Sequence, residues 1–380
     1  MADYLRQMPH QGSADLARRP SAVSRFHIDI PLLLLLLALT AYGLIVLYSG
    51  SGKDMGAVIR QGRYFLLAYF IMFIVAQLSM GQIMRWAPWL YVAALGTLVA
   101  VMLVGVGAKG AQRWLSLGGF RFQPSEIMKL ILPVTVAWYL ADRTLPPRFL
   151  HIMVALILIG LPAALILQQP DLGTALLIAA SGLFVLFIAG MGWRYIFGAV
   201  VLAVASAWPA WMFVLKDYQK QRILTMLDPE SDKLGAGWNI IQSKTAIGSG
   251  GWDGKGWMKG TQSHLDFLPE SHTDFIIAVM SEEFGLRGVL VLMAIYLLIL
   301  LRGFLIGVRA QSSFGRMMAG SLTLTFFVYI FVNMGMVAGL LPVVGVPLPL
   351  VSAGGTSVVT LMAGFGILMA ISTEKSTGPR

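Results

Sequence analysis

The polar side chains best suited to chemistry lie together in one segment, HLDFLPESHTDFIIAVMSEEFGLRG, which runs from His264 to Gly288. Its acidic residues and histidines approach an apolar run and continue into it: His264, Asp266, Glu270, His272, Asp274, Glu282 and Glu283. Asp274 falls in the first turn of the predicted helix, at the membrane surface. A carboxylate beside a half-buried cavity can act as a general base, because desolvation raises the pKa of such a group. The alternative is a helix-start carboxylate that the helix dipole stabilises by about 0.3–1 kcal/mol.

Glu282 and Glu283 lie two turns deeper, where an unpaired charge is costly. Glu283 and Arg287 are four residues apart, so they could form an ion pair on one helix face. The spacing therefore favours structural pairing for at least one glutamate. The other could face a polar cavity.

A second cluster of charge lies in GAKGAQRWLSLGGFRFQPSEIMKL, between Gly107 and Leu130. Lys109, Arg113 and Arg121 gather positive charge there, and Trp114 adds an aromatic surface. This combination suits a diphosphate group, which such cations would neutralise. Basic loops at a membrane interface are common, so the pattern alone is modest support for a binding site.

Three more charged residues stand at predicted helix starts. Glu126 and Lys129 are three residues apart, a spacing that favours an ion pair buried in the bundle. Asp171 follows Pro170 in QQPDLGTA, at the start of another helix.

The chain offers no cluster typical of a transition metal. Cysteine is absent, which excludes thiolate ligands and a cysteine nucleophile. His264 and His272 do not form a zinc-spaced pair. The expected cofactor is a divalent cation, Mg²⁺ or Mn²⁺, held by a carboxylate and substrate phosphates, with its ligands unassigned. No organic cofactor is expected.

The glycine-rich segment GSGGWDGKGWMKG, Gly248 to Gly260, is similar to a phosphate loop only superficially. When the motif is aligned on Lys255, Ser249 occupies the position that requires the first glycine, and Gly256 occupies the position that requires Ser or Thr. The sequence therefore predicts no nucleotide site there.

The elements that position these residues are membrane helices. Hydrophobic residues make up 57% of the 380 and charged residues 12%, against about 25% charged in soluble domains. We expect an all-α polytopic membrane protein with about ten transmembrane helices, each near the roughly 20 residues that span a bilayer. The spans centre on residues 31–50, 62–80, 87–107, 126–142, 149–167, 171–190, 194–214, 273–301, 316–340 and 354–373.

The distribution of Lys and Arg among short loops places the N-terminus inside. Residues 1–30 are then a cytoplasmic tail and 31–373 the membrane domain. The outer loop between helices 7 and 8 covers 215–272, and 374–380 form a cytoplasmic C-terminal tail. We expect a retained first helix rather than a signal peptide. The net charge of +10 is spread over loops, which favours anionic lipid over nucleic acid.

The sequence predicts local structure in two segments on the outer side. Tyr218–Leu227 and Trp238–Ile247 mix apolar and basic residues at near-helical spacing, so each could lie in the headgroup layer. GLLPVVGVPLPLVSAGGTS, residues 339–357, breaks helical structure at membrane depth. It either lines a cavity or packs beneath the long loop, or it is a tight helical connection.

Five segments occur in a characteristic order among the spans: GAQRWL, FQPSEIMKL, QQPDLGTA, FLPESHTDFIIAVMSEEFG and GVPLPLVSAGGTS. Together they resemble the SEDS family (shape, elongation, division and sporulation) across the membrane domain. Within that family, the opening IDIPLLLLLLALTAYGLIVLYSGSG and the GKGWMKGTQSHLDFLPESHTDF loop are most similar to the RodA type, which serves elongation. The division type, FtsW, is the alternative.

The resemblance implies a peptidoglycan glycosyltransferase of the cell inner membrane that polymerises lipid II. It implies that Asp274 is the essential aspartate, Trp114 the loop tryptophan, and Glu126 with Lys129 the buried pair. The implied partners are a class B penicillin-binding protein transpeptidase of the PBP2 type and the rod-elongation machinery.

On this interpretation the reaction is a single inverting displacement, which needs one base on the attacking side. Asp274 would take the proton of the acceptor hydroxyl, while the leaving undecaprenyl diphosphate needs charge stabilisation. The candidates for binding the substrate are Lys109, Arg113, Trp114, Arg222 and His272. Glu126, Lys129, Asp171, Glu282 and Glu283 remain candidates for structural or functional polar residues.

Two rival functions stay open from the sequence. A flippase for a lipid-linked precursor would also use intramembrane charges and broken helices. A non-catalytic scaffold would only hold a transpeptidase in place.

Overall fold

The structure, a computed structural model, describes residues 27–108, 111–117, 120–232, 235–261 and 272–374. Lys109, His264, Asp266 and Glu270 lie outside the described residues.

Twelve α-helices have their bounds within the described residues. In chain order they are α1 (Ile30–Gly50), α2 (Met55–Ala76), α3 (Met80–Val104), α4 (Pro124–Ala141), α5 (Phe149–Gln168), α6 (Leu172–Ile188), α7 (Trp193–Pro209), α8 (Asp217–Leu227), α9 (Ala236–Gly250), α10 (Ile276–Arg309), α11 (Ser313–Val337) and α12 (Thr356–Ser372). Helix α7 continues as a π-helical turn, Ala210–Val214.

All ten predicted spans coincide with helices, namely α1 to α7 and α10 to α12. Seven of these are long and apolar enough to cross a membrane, and α6 and α12 are shorter apolar helices. Helix α4, with 18 residues, carries the charged Glu126 and Lys129. The prediction of an all-α polytopic bundle is therefore confirmed for the membrane-spanning part. The protein is a multi-pass membrane protein.

Local sequence explains where several helices begin. The Asp29 carboxylate accepts from the Leu32 N–H at the start of α1, and Pro31 stands in its first turn. Ser79 and Gln82 form a reciprocal capping box at the start of α3. Asp171 caps α6 by accepting from the Thr174 N–H.

A small antiparallel sheet, which the sequence analysis did not predict, joins α3 to α4. Its strands are β1 (Val106–Ala108), β2 (Ala111–Leu117) and β3 (Phe120–Phe122), in the order β1-β2-β3. The pairing sets Val106 opposite Trp114 and Leu115 opposite Phe122. Alternation in QRWLSL followed by a Gly-Gly pair was the available signal for a hairpin. Because these strands are short, the hydrophobic pattern of this region is dominated by the flanking membrane helices, which hides the hairpin.

The helices pack around a shared apolar core. Helix α12 packs along α2, α10 lies between α1 and α11, and α6 contacts α4, α5 and α11. Helix α7 has no buried residue. Helices α1 and α10 run in opposite directions. Asp29, before α1, therefore contacts Arg302 near the end of α10 at one end of the bundle, and Ser49 near the end of α1 contacts Glu283 near the start of α10 at the other end. We call the second end the Asp274 end.

The long loop at the Asp274 end is largely helical. Helices α8 and α9 confirm the helical character predicted for 218–227 and 238–247. After α9, the glycine-rich segment runs beside α10, which bends sharply at Gly285 (φ 65°, ψ −163°).

Candidate functional site

Asp274 lies at a cavity of about 410 Å³ at the Asp274 end of the bundle. Three parts of the chain contribute to its wall: the helices α8 and α9, the entrance of α10, and the segment before α12. The lining residues are Arg222, Asn239, Thr273, Asp274, Phe275, Val343 and Gly345. The prediction that residues 339–357 line a cavity is thereby confirmed, because Val343 and Gly345 belong to the wall.

The backbone that carries Asp274 is held from outside its own helix. Three consecutive carbonyls, those of residues 272 to 274, accept hydrogen bonds from other elements. Ala353 N–H donates to the His272 carbonyl at 3.0 Å, and the Ser352 hydroxyl donates to the Thr273 carbonyl. The Asn333 amide of α11 donates to the Asp274 carbonyl at 2.9 Å. The segment is therefore fixed by α11 and by the chain before α12.

Gly345 leaves room beside the Asp274 carboxylate. A Cβ built on Gly345 would lie 3.5 Å from Asp274 Oδ2, and Gly345 has a positive φ of 75°. Glycine adopts this conformation without the strain that an L side chain would bring. The backbone at position 345 can thus approach the carboxylate closely.

Arg222 brings positive charge to the same cavity. It lies on α8, where its guanidinium is 5.9 Å from the centre of the Tyr218 ring. Of the predicted substrate-binding residues in the described part of the chain, Arg222 is the one among the residues that line the Asp274 cavity. An anionic group that entered this cavity would therefore meet both a cation and a carboxylate.

The glycine-rich segment packs against the bend of α10 through backbone hydrogen bonds. Lys255 N–H donates to the Glu282 carbonyl, and Gly256 N–H to the Glu283 carbonyl, both at 2.9 Å. In return Leu286 N–H donates to the Gly251 carbonyl at 3.0 Å. These bonds replace part of the helical ladder that is lost at the bend. The glycines therefore allow close backbone contact with α10.

Glu282 is fully buried and paired with Lys255, whose Nζ lies 2.7 Å from Glu282 Oε1. The same oxygen accepts from the Thr261 N–H at 2.7 Å. Structural pairing of one glutamate is thus confirmed, with a partner that the sequence analysis did not identify.

The predicted ion pair between Glu283 and Arg287 was wrong. The helix bends at Gly285 between the two positions, so they do not share one helix face. The Arg287 guanidinium instead pairs with Asp253, and the buried Glu283 accepts from the Ser49 hydroxyl of α1.

Arg113 lies against the break between α5 and α6. Its guanidinium donates to the Gln169 carbonyl at 3.3 Å and to the Pro170 carbonyl at 2.6 Å. It also lies 3.5 Å from the Asp171 carboxylate. In this arrangement Arg113 supports the start of α6 and is half-buried.

Glu126 and Lys129 form the predicted buried ion pair, with 2.7 Å between Oε1 and Nζ. Lys129 Nζ also lies 5.2 Å from the centre of the Tyr329 ring of α11. The pair therefore links α4 to α11, the helix that carries Asn333.

The structure does not bring all predicted site residues together. Trp114 is half-buried in β2 and is not among the residues that line the Asp274 cavity. His272 is exposed and takes part through its backbone carbonyl. The role of each as a substrate-binding residue stays a prediction.

Four residues that line or support the site were not predicted from the sequence: Asn239, Asn333, Gly345 and Ser352. No local pattern marks them, although GVPLPLVSAGGTS had been recognised as a break in helical structure that holds two of them. Their relevance depends on contacts with distant parts of the chain.

A divalent cation has limited protein ligands in the described residues. These contain no group of three or more His, Asp or Glu side chains that could hold a metal ion. Among the described residues of the cavity wall Asp274 supplies the one carboxylate, and Mg²⁺ commonly uses one or two carboxylates plus substrate phosphates. The residues fit a cation that arrives with a diphosphate better than one held by protein alone.

Comparison with known proteins gives consistent matches across the chain. The family model FtsW/RodA/SpoVE, described as a cell cycle protein, matches residues 30–377. The peptidoglycan glycosyltransferase MrdB of Escherichia coli (strain K12) is 54% identical over 351 residues, covering 92% of this chain and 95% of that protein. A probable peptidoglycan glycosyltransferase FtsW of Geobacter metallireducens is 38% identical over 363 residues, covering 92% and 96%.

Two solved structures share the fold. A chain from a peptidoglycan synthase complex that coordinates polymerization and crosslinking superposes with a TM-score of 0.80 at 31% identity, covering 90% of this chain and 97% of that one. The crystal structure of the rod shape determining protein RodA of Thermus thermophilus gives a TM-score of 0.70 at 28% identity, covering 92% and 98%.

Proposed function

The chain belongs to the FtsW/RodA/SpoVE family of cell cycle proteins, and we propose that it is a peptidoglycan glycosyltransferase that polymerises lipid II. The observation that carries the proposal is the shared cavity of Asp274 and Arg222. A base and a cation in one pocket at one end of a membrane bundle suit the transfer of a sugar from a lipid diphosphate. The identity of 54% with MrdB over almost the whole chain supports the same activity.

In the proposed mechanism Asp274 is the general base. Its carboxylate takes the proton from the 4-hydroxyl of the acceptor GlcNAc as that oxygen attacks the anomeric carbon of the donor MurNAc. The bond from that carbon to the diphosphate breaks, and undecaprenyl diphosphate leaves. The α-linked donor then gives a β-1,4 linkage by inversion.

Arg222 stabilises the leaving diphosphate in this mechanism. Its guanidinium presents several N–H donors that match phosphate oxygens. Lys109, Trp114 and His272 remain proposed contributors to substrate binding. Arg113 contributes less directly, because its donors contact the carbonyls of Gln169 and Pro170.

A bound Mg²⁺ or Mn²⁺ would add neutralising charge at the diphosphate. Asp274 is the cavity carboxylate that could contact it. The roles proposed for Asp274 and Arg222 do not depend on this cation.

The polyprenyl chain needs an apolar surface, and one lies near the same end of the bundle. A cavity of about 370 Å³ between α2, α4 and α12 is lined mostly by apolar atoms. Leu67, Ile127 and Val359 are among its residues, and Glu126 lies at its wall. This cavity could hold part of the lipid chain while the sugars reach Asp274.

For the cell, we propose an inner-membrane protein with both termini in the cytoplasm and the Asp274 end facing the periplasm. The domain boundaries are then those expected from the sequence, with a loop at 215–272. A class B penicillin-binding protein is the proposed partner, and rod elongation the proposed process. The higher identity with MrdB (54%) than with the FtsW relative (38%) supports elongation over division.

The test is strand formation by the purified full chain with lipid II and Mg²⁺ or Mn²⁺, with and without the transpeptidase partner. Asp274→Asn should lower the rate by about 10²–10⁴-fold, the usual contribution of a general base. The matched control is Asp54→Asn at the same end of the bundle, because asparagine keeps the cap that Asp54 gives α2. A folded Asp274→Asn protein with near-normal activity would refute the assignment of Asp274 as the general base.

The same assay separates the rival functions. A flippase would move fluorescent lipid II between leaflets without making glycan. A scaffold would bind the transpeptidase and form no strands under any condition.

A further inference from the structure

We propose that Asn333 and Ser352 are positioning residues of this reaction, which hold the backbone under Asp274 so that its carboxylate keeps one place at the cavity. The inference rests on the proposed function. Neither residue lines the cavity, so they act through Asp274 rather than on the substrate.

The first support is the set of carbonyls that they bind. Asn333 Nδ2 donates to the carbonyl of Asp274 itself at 2.9 Å, and Ser352 Oγ donates to the carbonyl one residue earlier. Both residues are buried, at 0% and 2% exposure. Buried hydrogen bonds of this kind restrict the backbone strongly, because breaking one leaves a polar group without water.

The second support is the way Asn333 uses its amide. Its nitrogen also donates to the Val346 carbonyl at 2.7 Å, so both N–H groups hold backbone of the cavity wall region. Among the described residues its amide oxygen has no hydrogen-bond partner. An unsatisfied buried acceptor is unfavourable for folding. The two donated bonds, which tie the Asp274 carbonyl to the Val346 carbonyl, therefore explain the presence of Asn333 better than a contribution to stability does.

The third support is the entrance of α10. Phe275, the cap position, provides no side-chain cap for this helix. The Ser352 hydroxyl accepts from Leu348 N–H at 2.9 Å and donates to Thr273, so it ties the turn 348–352 to the entrance. The chain at this entrance is therefore held through the carbonyls of Thr273 and Asp274, which accept from Ser352 and Asn333, and not through a side-chain cap on the helix.

A general base that shifts by about 1 Å loses up to roughly 10²-fold in rate, even when the substrate still binds. We therefore expect Asn333→Leu and Ser352→Ala to lower kcat by about 10- to 100-fold. The lipid II concentration at half-maximal rate should stay within about twofold, because uniform binding is not lost.

The experiment measures kcat and half-saturation for the full chain with Asn333→Leu, Ser352→Ala and Ser352→Thr. Threonine retains the hydroxyl, so Ser352→Thr should keep more activity than Ser352→Ala. The matched control is Ser321→Ala on α11, which removes an equally buried hydroxyl that donates to the Ser181 carbonyl at 2.7 Å. It should leave kcat unchanged.

A second measurement does not require activity. Because the chain has no cysteine, Asp274→Cys gives a unique thiol for labelling with a membrane-impermeant maleimide. Adding Asn333→Leu or Ser352→Ala should change the labelling rate several-fold, and adding Ser321→Ala should not.

Three results would overturn the inference. The first is an unchanged kcat and an unchanged labelling rate in both Asn333→Leu and Ser352→Ala, and the second is a changed labelling rate with an unchanged kcat. The third is a loss of kcat in Ser321→Ala as large as that in Ser352→Ala. Equal activity of Ser352→Thr and Ser352→Ala would also count against it. A wild type that forms no strands would refute the proposed function instead, while labelling would still report whether Asn333 and Ser352 hold the segment.

Discussion

Lys255 and Glu282 form a charge pair that joins the glycine-rich segment to the bend of α10. The distance is 2.7 Å between Nζ and Oε1, and the glutamate is fully buried. The backbone bonds beside this pair connect the same two segments. The long loop is therefore anchored to the helix whose entrance carries Asp274.

Loss of Lys255 should destabilise the protein. Lys255→Met removes the Lys255 ammonium from the buried Glu282 carboxylate, and we expect a loss of about 1–3 kcal/mol, seen as lower thermal stability in detergent. Lys259→Met, at an exposed position of the same segment, is the control and should change little. Adding Glu282→Leu to Lys255→Met should restore part of the loss, because the buried negative charge is then removed together with the lysine. Full stability of the single variant would contradict this account.

Gly254 should tolerate no side chain, because a Cβ there would lie 2.2 Å from the Glu283 carbonyl oxygen. Gly254→Ala must separate the segment from α10, so both thermal stability and strand formation should fall. Gly52→Ala is the matched control, since Gly52 also has a positive φ (66°) but nothing lies within 4 Å of its Cβ position. It carries only the conformational penalty of about 1–2 kcal/mol. Equal effects of the two substitutions would disprove the role of close contact.

Gly345→Ala should reduce activity more than stability. Its methyl group would stand 3.5 Å from Asp274 Oδ2, where the acceptor hydroxyl must approach. The expected loss is about 10-fold or more in kcat/KM, consistent with the misplacement of a reacting group. Gly190→Ala has a similar positive φ (86°) and a similar contact, 3.6 Å from Pro146 Cβ, at the opposite end of the bundle. Comparable losses of activity in both proteins would show that backbone strain alone is responsible.

The Glu126–Lys129 pair should be a strong stabilising element. Lys129→Met leaves a buried carboxylate unpaired and should cost about 3–5 kcal/mol in unfolding free energy. Arg60→Met breaks the exposed pair with Asp54, whose side chains are 67% and 51% exposed, and should cost about 0–1 kcal/mol. Thermal unfolding of both proteins checks the contrast. Similar unfolding midpoints for the two variants would mean that burial does not decide how much an ion pair contributes to stability.

The sequence by itself determined the ten spans, the two loop helices and the position of Asp274 at a helix entrance. Each of these follows from local information, namely the length of an apolar run, a helical period or a cap. The ion pair between Glu126 and Lys129 could also be predicted from local information, because side chains three residues apart on a helix lie next to each other.

Only the tertiary structure decided which groups meet at the site. Asn333 is 59 residues from Asp274, and Ser352 is 79 residues from Thr273, so no sequence pattern relates them. The partner of Glu282 is Lys255 rather than a neighbour on the helix, because the bend at Gly285 breaks the helical register. Short-range preferences fix where helices begin and end, whereas packing of helices and loops fixes which polar groups can satisfy one another away from water.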